Sequence, residues 1–504
     1  LNDKASPTIS SVTASTANGS YKAGGVIAVQ VVFTEAVTVV GTPQLTLETG
    51  GSDAVVNYAS GTGGTTLTFN YTVASGHNSS DLDYATTDAL GLNGGTIKDA
   101  AGNNSNLTMA QPAATNSLAA NKALIVDTVT PTVSAVTSTT ANGSYRTGDA
   151  IAITVTFSEL VTVTGTPQLT LETGSTDQVV NYSSGSGATT LTWNYTVASG
   201  NTSSDLDYQS TSALALNSGT IKDAAGNNAV LTLPTPGGEN SLAANKAIVI
   251  DQAVPTISGV NLALNNGAIA GTVNEAVFNT ADASGALEAN DFALSISGGS
   301  ATLSSATPTS ISASGNVYTL GLGMSGTPNG SETLTVVPVD NGIYDAAGNE
   351  ASTSQSNNSV TLYDQTIPIV STVTATTANG IYTVNNTIAI TITFTEAVTV
   401  SGTPQLTLET GSSDAVVNYA SGSGSATITF NYTVASGQNS ADLDYVSTAA
   451  LTLNSGTIKD SENRNAYLTL PTPGTANSLG ANKAFIIDTA VPTVSSVSST
   501  TEDG

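Results

Sequence analysis

The chain has 504 residues, of which 39% are hydrophobic and 9% charged, and 37 acidic against 10 basic residues give a formal net charge of -27. This charge disfavours binding to nucleic acid or anionic membrane surfaces and favours cations. The absence of cysteine excludes disulfides and thiolate metal sites, and no apolar run approaches the roughly 20 residues that span a bilayer. Abundant Thr, Val, Gly and Asn are typical of an all-β protein.

A long internal repeat organises the chain. The stretch SPTISSVTASTANGSY at 6–21 is similar to TPTVSAVTSTTANGSY at 130–145 and to IPIVSTVTATTANGIY at 367–382. The matching prolines are Pro7, Pro131, Pro255, Pro368 and Pro492. Their spacing, well over a hundred residues, is too long for a solenoid repeat and indicates a series of whole domains.

The boundaries between repeats share one pattern, in which an apolar strand ends in Asp and a proline follows a few residues later. The linkers are therefore short. We predict a linker from a preceding repeat at 1–6, Ig-like repeats at 7–130, 131–254, 255–367 (divergent) and 368–491, and the start of a further repeat or a donor strand at 492–504.

Within the first repeat, alternation of apolar and polar residues predicts strands at 26–33, 43–49, 54–60, 65–75 and 122–127. With an opening strand and a late one, about seven strands are expected, separated by Gly, Asn and Ser turns, as in an immunoglobulin-like sandwich. The predicted fold is all-β: a tandem array of Ig-like β-sandwich domains with short linkers.

The direction of successive strands places acidic residues at the two ends of each predicted domain. Glu35 and the loop KDAAGNN, with Asp99 and Asn103, are expected at the upstream end. Asp81 and Asp83 are expected at the far end, together with Asp127 of the linker. The far end of one domain would then face the upstream end of the next, so that carboxylates from both domains converge.

Crowded carboxylates repel one another unless a cation compensates them. Calcium fits, because it takes six to eight oxygen ligands from carboxylates, amides and carbonyls. The predicted calcium ligands are Asp3, Glu35, Asp99 and Asn103 before the first repeat; Asp81, Asp83, Asp127, Glu159, Asp223 and Asn227 at the first junction; Asp205, Asp207, Asp251, Glu275, Asp345 and Asn349 at the second; Asp364, Glu396 and Asp460, with Glu332 as a further candidate, at the third; and Asp442, Asp444 and Asp488 after the fourth repeat.

The same residues allow a purely structural interpretation. The sequence DAAGN is a good β-turn, in which Asp caps its own backbone and Gly or Asn accepts a positive φ. The linker Asp could likewise cap the turn before proline. The fourth copy reads TIKDSENRNA at 457–466, and Arg464 there suggests weak metal binding or none.

The stretches DTVTPTVSAVTSTTANGSY, ITVTFSELVTVTGTPQLTLETG and GTIKDAAGN resemble the SWM-type, tandem Ig-like repeats of large bacterial cell-surface proteins. The resemblance covers the first, second and fourth copies and the ends of the third. It implies a spacer or adhesive stalk, and related cadherin-like arrays imply calcium at the linkers, hence at Asp127, Asp251, Asp364 and Asp488.

No catalytic constellation stands out. A Ser–His–Asp site needs a histidine base, and the single histidine, His77, has Asn201 and Gln438 at the equivalent positions, which indicates a surface residue. We therefore predict a non-enzymatic, secreted or cell-surface array with adjacent repeats as partners and an unknown receptor. The alternative is a self-assembling subunit of an extracellular filament or surface layer, joined by strand donation between chains.

Overall fold

The computed structural model describes residues 4–498 and residue 500. They form two compact units. The described part of the first comprises 4–256, Glu275–Leu287 and Asp340–Ser352, and that of the second comprises Ile257–Asn274, Glu288–Val339, 353–498 and 500. Among these residues, no helix is long and apolar enough to cross a lipid bilayer.

The first repeat is a sheet that folds over on itself. Its elements are β1 (Ile9–Ala14), β2 (Gly19–Tyr21), β3 (Val26–Val40), β4 (Gln44–Glu48), β5 (Ala54–Ser60), β6 (Gly64–Thr72), β7 (Asp83–Tyr84), β8 (Leu90–Gly91), β9 (Thr96–Lys98), α1 (Leu118–Asn121) and β10 (Leu124–Val126). The strand order is β1-β3-β6-β5-β4-β7, with β8 on β4 and β9 on β3. Because β5 pairs with β6 at one end and β4 at the other, two layers enclose one core.

The second repeat copies this arrangement, and it also belongs to the first unit. Its elements are β11 (Val133–Ser138), β12 (Gly143–Tyr145), β13 (Ala150–Thr164), β14 (Gln168–Glu172), β15 (Gln178–Ser184), β16 (Ala188–Thr196), β17 (Asp207–Tyr208), β18 (Leu214–Ala215), β19 (Thr220–Lys222), α2 (Leu242–Asn245) and β20 (Ile248–Ile250). Trp193 fills the core position that Phe69 holds in the first repeat, and both side chains are fully buried.

The second unit begins with the strands of the divergent third repeat. They are β21 (Ile257–Leu262), β22 (Ala268–Val273), β23 (Phe292–Ser297), β24 (Thr302–Leu303), β25 (Ile311–Ser314), β26 (Val317–Gly321), β27 (Met324–Ser325), β28 (Thr333–Pro338) and β29 (Ser359–Thr361), with a 3-10 turn at Ala289–Asp291. They form sheets in the orders β21-β22-β26-β25, β23-β28-β29 and β24-β27.

The fourth repeat returns to the first pattern. Its elements are β30 (Val370–Ala375), β31 (Gly380–Tyr382), β32 (Thr387–Ser401), β33 (Gln405–Leu408), β34 (Ala415–Ser421), β35 (Ser425–Thr433), β36 (Leu451–Thr452), β37 (Thr457–Lys459), α3 (Leu479–Asn482) and β38 (Phe485–Ile487). The predicted all-β fold, a tandem array of Ig-like β-sandwich domains, is confirmed. The exact domain boundaries stay a prediction.

One long strand differs from its prediction in a way that matters for the site. The second predicted strand does not stop near Glu35, because β3 continues to Val40 through a bulge between Val32 and Val37. Beyond the bulge β3 leaves β6 and pairs with β9, with Thr38 opposite Lys98. A bulge bends its strand, and beyond the bulge β3 runs beside β9, the strand from which the Asp99 loop starts.

Candidate metal centre

The loop after β19 is built by its own side chains. The Asp223 carboxylate accepts the backbone N–H of Asn227 at 2.8 Å on Oδ1 and the Asn227 amide Nδ2 at 2.7 Å on Oδ2. Gly226 has a φ of 88°, a conformation that glycine adopts without the strain of a Cβ. The structural interpretation of DAAGN as a self-capped turn is therefore confirmed.

The asparagine of the loop also holds the linker. Asn227 Nδ2 donates to the backbone carbonyl of Asp127 at 3.0 Å, and Asn349 Nδ2 donates to that of Asp251 at 3.0 Å. In the first repeat Asn103 Nδ2 donates to the carbonyl of Ala5 at 3.0 Å. The amide nitrogen of each asparagine thus works as a double N–H donor that fastens the linker to the next repeat, while the role of the amide oxygen as a metal ligand stays a prediction.

Two acidic clusters form in the first unit. The first acidic cluster is Asp127, Glu159 and Asp223, each of which offers a carboxylate oxygen within 4.8 Å of the others. The linker supplies Asp127, the bulge of β13 between Thr156 and Val161 supplies Glu159, and the loop supplies Asp223. Three parts of the chain are thus brought to one point, since Glu159 and Asp223 follow Asp127 by 32 and 96 residues, as the sequence analysis predicts for these three residues.

The second acidic cluster repeats this geometry with Asp251, Glu275 and Asp345, again within 4.8 Å. Asp345 is fully buried and its carboxylate accepts N–H groups from Ala347, Asn349 and the Asn349 amide. Asp251 Oδ1 accepts the backbone N–H of Ala253 at 2.9 Å, just as Asp127 accepts that of Val129 at 3.0 Å. The linker aspartates therefore cap the next turn as well.

The first cluster carries uncompensated negative charge. Ion pairs within residues 4–498 all involve Arg464, so none of these three carboxylates has one with a described basic residue. Burial, followed by the charges of Asp127 and Asp223, raises the pKa of Glu159. Near a protein surface two like unit charges about 4 Å apart repel by roughly 4 kcal/mol, a repulsion that a bound cation would relieve.

Asp83 and Asp207 do not reach these clusters. Asp83 Oδ2 accepts the backbone N–H of Ala113 at 2.8 Å, and its Oδ1 accepts those of Tyr84 and Leu118 at 2.9 and 3.2 Å. Asp207 accepts from Tyr208 and Gly237, and Asp444 from Tyr445 and Gly474, in the same way. These aspartates serve their own repeats, which corrects their prediction as junction ligands.

The reason is the register of the neighbouring strands. Ser79 pairs with Val126, and Leu82 donates to the carbonyl of Leu124, so residues 79–83 run along β10 away from Asp127. Asp81, Asp205 and Asp442 are exposed and belong to neither acidic cluster. Strand direction predicts that the turns containing Asp81, Asp205 and Asp442 lie at the far end of each repeat. Only the first residues of these turns, such as Ser79, lie beside the end of the last strand.

The third junction has a different composition. Arg464 lies between two carboxylates, with Nε 2.7 Å from Asp460 Oδ2 and Nη2 3.4 Å from Asp364 Oδ1. Glu332 does not join them, because its fully buried carboxylate accepts the backbone N–H groups of Ser300, Ala301 and Asn329. Glu332 is therefore corrected from a metal candidate to a structural acceptor.

Glu396 is the third carboxylate of this junction. Burial, a hydrogen bond with Asp364 and the charges of Asp364 and Asp460 raise the pKa of Glu396 to about 7, although Thr366 Oγ1, which donates to it at 3.2 Å, opposes the rise. Burial alone would raise the pKa of Asp364 as well, but hydrogen bonds from Thr366 and Glu396 and the Arg464 charge lower it.

The remaining predicted ligands lie outside these groups. Glu35 is half-buried and Asp99 is buried, whereas Asp3 lies outside the described residues. Asp488 Oδ1 accepts the backbone N–H of Ala490 at 2.9 Å, as the other linker aspartates do.

A basic contact across each of the first two junctions was missed by the sequence analysis. Lys22 Nζ donates to the carbonyl of Gly226 at 3.0 Å, and an Arg146 guanidinium N–H donates to that of Gly348. Both bonds join one repeat to the DAAGN loop of the next. The available signal was a basic residue at the same position of two repeats, Lys22 in SYK and Arg146 in SYR. The fourth repeat has Thr383 at this position.

The single histidine has a structural explanation. Tyr71 Oη lies 2.8 Å from Nδ1 of His77, and the equivalent tyrosines donate to Asn201 Oδ1 at 2.9 Å and Gln438 Oε1 at 2.8 Å. An amide oxygen does the same work in the other repeats, so the role of His77 does not require proton transfer. The side chain of His77 is half-buried.

No protein-family model matches the chain, and no curated protein matches it. Solved structures to which it is similar include an I-band fragment of titin, at 6% identity and a TM-score of 0.23, covering 72% of this chain and 100% of that one. Another is the S-layer protein SbsC, at 11% identity and a TM-score of 0.18, covering 97% of this chain and 55% of that one. A further SbsC structure, of domains 4–9, matches at 14% identity and a TM-score of 0.18, over 92% of this chain and 65% of that one.

Replacing Asp83 by Ala should destabilise the first repeat by about 3 kcal/mol, because three backbone N–H groups lose a charged acceptor. Denaturant-dependent hydrogen exchange over residues 113–121 measures this. Replacing the exposed Asp81 by Ala is the control and should change stability by less than about 0.5 kcal/mol. Equal losses in the two variants would contradict the assigned roles.

The third junction should lose stability as the pH rises. The pKa of Glu396 is raised from 4.5 to about 7, so the folded state binds the proton more tightly than the unfolded chain. The stabilisation is complete below pH 4.5 and disappears as the pH passes 7. Melting curves in EDTA from pH 5.5 to 8 should show this fall, Glu396→Gln should flatten it, and Glu409→Gln at an exposed site should not. A fall that survives in Glu396→Gln would argue against this origin.

Proposed function

We propose that this chain is a non-catalytic segment of an extracellular repeat array, a spacer or stalk of a bacterial surface adhesin, in which calcium stiffens the junctions between repeats. The observation that carries the proposal is the repeated convergence of three carboxylates, Asp127, Glu159 and Asp223 and their counterparts in the second cluster, where two repeats join. The resemblance to SWM-type repeats and the high acidic content agree with a cell-surface setting.

The donor set suits calcium. All ligands are oxygens, they are partly to fully buried, and they come from a linker, a strand bulge and a loop. Calcium accepts irregular oxygen shells, completed by carbonyls and water, whereas magnesium demands near-octahedral geometry. A bound calcium ion would supply the positive charge that the clustered carboxylates lack.

The arrangement links metal binding to stiffness. Asp127 belongs to the linker, and Glu159 and Asp223 belong to the repeat that follows, so a shared ion would resist movement of one against the other. The Asn227 and Lys22 hydrogen bonds already hold the same loop to the linker and to the preceding repeat. A ligand at 100 times its Kd stabilises the state that binds it by about 2.7 kcal/mol, which would favour the closed junction over a bent one that lacks the site.

Calcium should raise the melting temperature of the first unit, and EDTA should reverse the rise. The double variant Glu159→Gln, Glu275→Gln removes one charge from each cluster and should lose most of this calcium dependence. Glu239→Gln, an exposed glutamate of the same unit, is the matched control and should retain it. Scanning calorimetry gives the shift, and small-angle scattering of the full chain should show greater flexibility in EDTA.

Two results would contradict the calcium proposal. One is a melting temperature and a scattering profile that do not change on chelation. The other is an equal calcium response in the double variant and the unaltered chain. Magnesium in place of calcium should give a smaller shift at equal concentration.

A second candidate function is self-assembly by strand donation, and one observation favours it. The stretch from 490 to 498 forms no strand, and Val494 and Val497 are 82% and 92% exposed, whereas Val12, at the position of Val497 in the first repeat, is fully buried. An extended segment with an unburied apolar face can add to a sheet edge. Against it, β1, β11 and β30 already hold the equivalent edge position in their own repeats.

Deleting residues 489–504 tests this second function. If strand donation joins copies, the unaltered chain should form higher-order species in analytical ultracentrifugation at high concentration, and the deletion should remove them. Strand donation would be ruled out if polymers persist after the deletion. It would also be ruled out if the unaltered chain stays monomeric at every concentration measured.

A further inference from the structure

The fourth loop reads DSENR at 460–464 where the first three read DAAGN, and the last position of this stretch changes the charge beside the loop aspartate. The fourth residue after the loop aspartate is Asn103, Asn227 and Asn349 in the first three repeats and Arg464 in the fourth. The backbone is the same, because the N–H of Arg464 donates to Asp460 Oδ1 at 2.8 Å, as that of Asn227 donates to Asp223 Oδ1 at 2.8 Å. The difference between the loops at this position is therefore in the side chain.

The Arg464 side chain supplies a positive charge at the third junction. Its Nε takes the Asp460 oxygen that the asparagine amide takes elsewhere, and its Nη2 lies 3.4 Å from Asp364 Oδ1. The same Nη2 lies 3.3 Å from Oε2 of Glu462, whose side chain is 36% exposed, so that this outer ion pair is the more weakened by water. Asp364 and Asp460 correspond to Asp127 and Asp223 of the first acidic cluster. The Arg464 side chain is 21% exposed and those of Asp364 and Asp460 are 15% and 1% exposed, so the ion pairs are largely shielded from water.

We propose that Arg464 is the built-in counterion of the third junction, so that this junction closes without metal, and that the residue at this loop position decides which junctions take calcium. The inference rests on the calcium proposed for the first two junctions. An asparagine is neutral and leaves the linker and loop carboxylates free to bind a cation. An arginine occupies an oxygen of each and repels a second cation by its own charge.

The array would then have two kinds of joint, one closed by calcium and one closed by an arginine. Removing calcium would loosen the first and second junctions, which have Asn227 and Asn349, and would leave the third junction closed. Flexibility under calcium depletion would then be confined to chosen points of the array. A single exchange at the loop position should convert one kind of joint into the other.

Calcium stoichiometry of the full chain tests the rule. Titration calorimetry should find one more equivalent in Arg464→Asn than in the unaltered chain and one fewer in Asn227→Arg. Arg464→Lys keeps the charge and should gain no site. Asn and Arg each already occupy this position in one of the chain's own loops, and Arg464→Lys keeps the positive charge. All three variants should therefore fold, and circular dichroism melting verifies this. A gain of calcium by Arg464→Lys, or none by Arg464→Asn while the unaltered chain binds, would overturn the inference and leave the proposed function intact.

A readout without calcium separates the two proposals. Each linker has an equivalent amide, because the backbone N–H groups of Val129, Ala253 and Thr366 donate to Oδ1 of their linker aspartates at 3.0, 2.9 and 2.7 Å. In EDTA the hydrogen-exchange protection factor of the Thr366 amide should be at least several-fold higher than those of the other two, and Arg464→Asn should abolish this difference. Equal protection of all three amides in the unaltered chain would refute the arginine joint. Protection of the Thr366 amide in a chain that binds no calcium would support the arginine joint and refute the calcium proposal alone.

Discussion

The junction chemistry depends on carboxylates that local hydrogen bonds prevent from moving apart. Asp223 is fixed by the backbone and side chain of Asn227, Asp127 by the N–H of Val129, and Glu159 by a strand bulge. Each constraint is satisfied within a few residues and is independent of the others. Together they concentrate negative charge at one point, and in the proposed function a bound cation compensates this charge.

The loop DAAGN performs several tasks with few residues, which explains its recurrence in a chain that has few charges. Its aspartate caps the loop and contributes charge, its glycine permits the turn, and its asparagine holds the linker carbonyl. The glycine carbonyl accepts the basic side chain of the preceding repeat, as Gly226 does from Lys22. Where Arg464 replaces the asparagine, the loop brings its own cation and keeps the same backbone.

The strands were predictable because a half-buried strand shows a period of two, and β5 begins and ends where the sequence indicates. The meeting of Asp127, Glu159 and Asp223 was predictable because strand direction alone determines which end of a domain each residue reaches. The role of Asp83 was not, because it depends on the register along β10 and on a four-residue helix, α1, too short to give a periodic signal. Its apolar neighbours in DLDY, Leu82 and Tyr84, were the available sign of burial. Lys22 and Arg146 were missed because one basic residue in a polar loop resembles any solvated side chain.

The central claim is that the first two junctions need an added cation and the third does not. Anomalous scattering from crystals grown in calcium tests it most directly. The account predicts an anomalous peak among Asp127, Glu159 and Asp223, a second among Asp251, Glu275 and Asp345, and none between Asp364 and Asp460. A map with no peak at either acidic cluster, or with a peak beside Arg464, would contradict it.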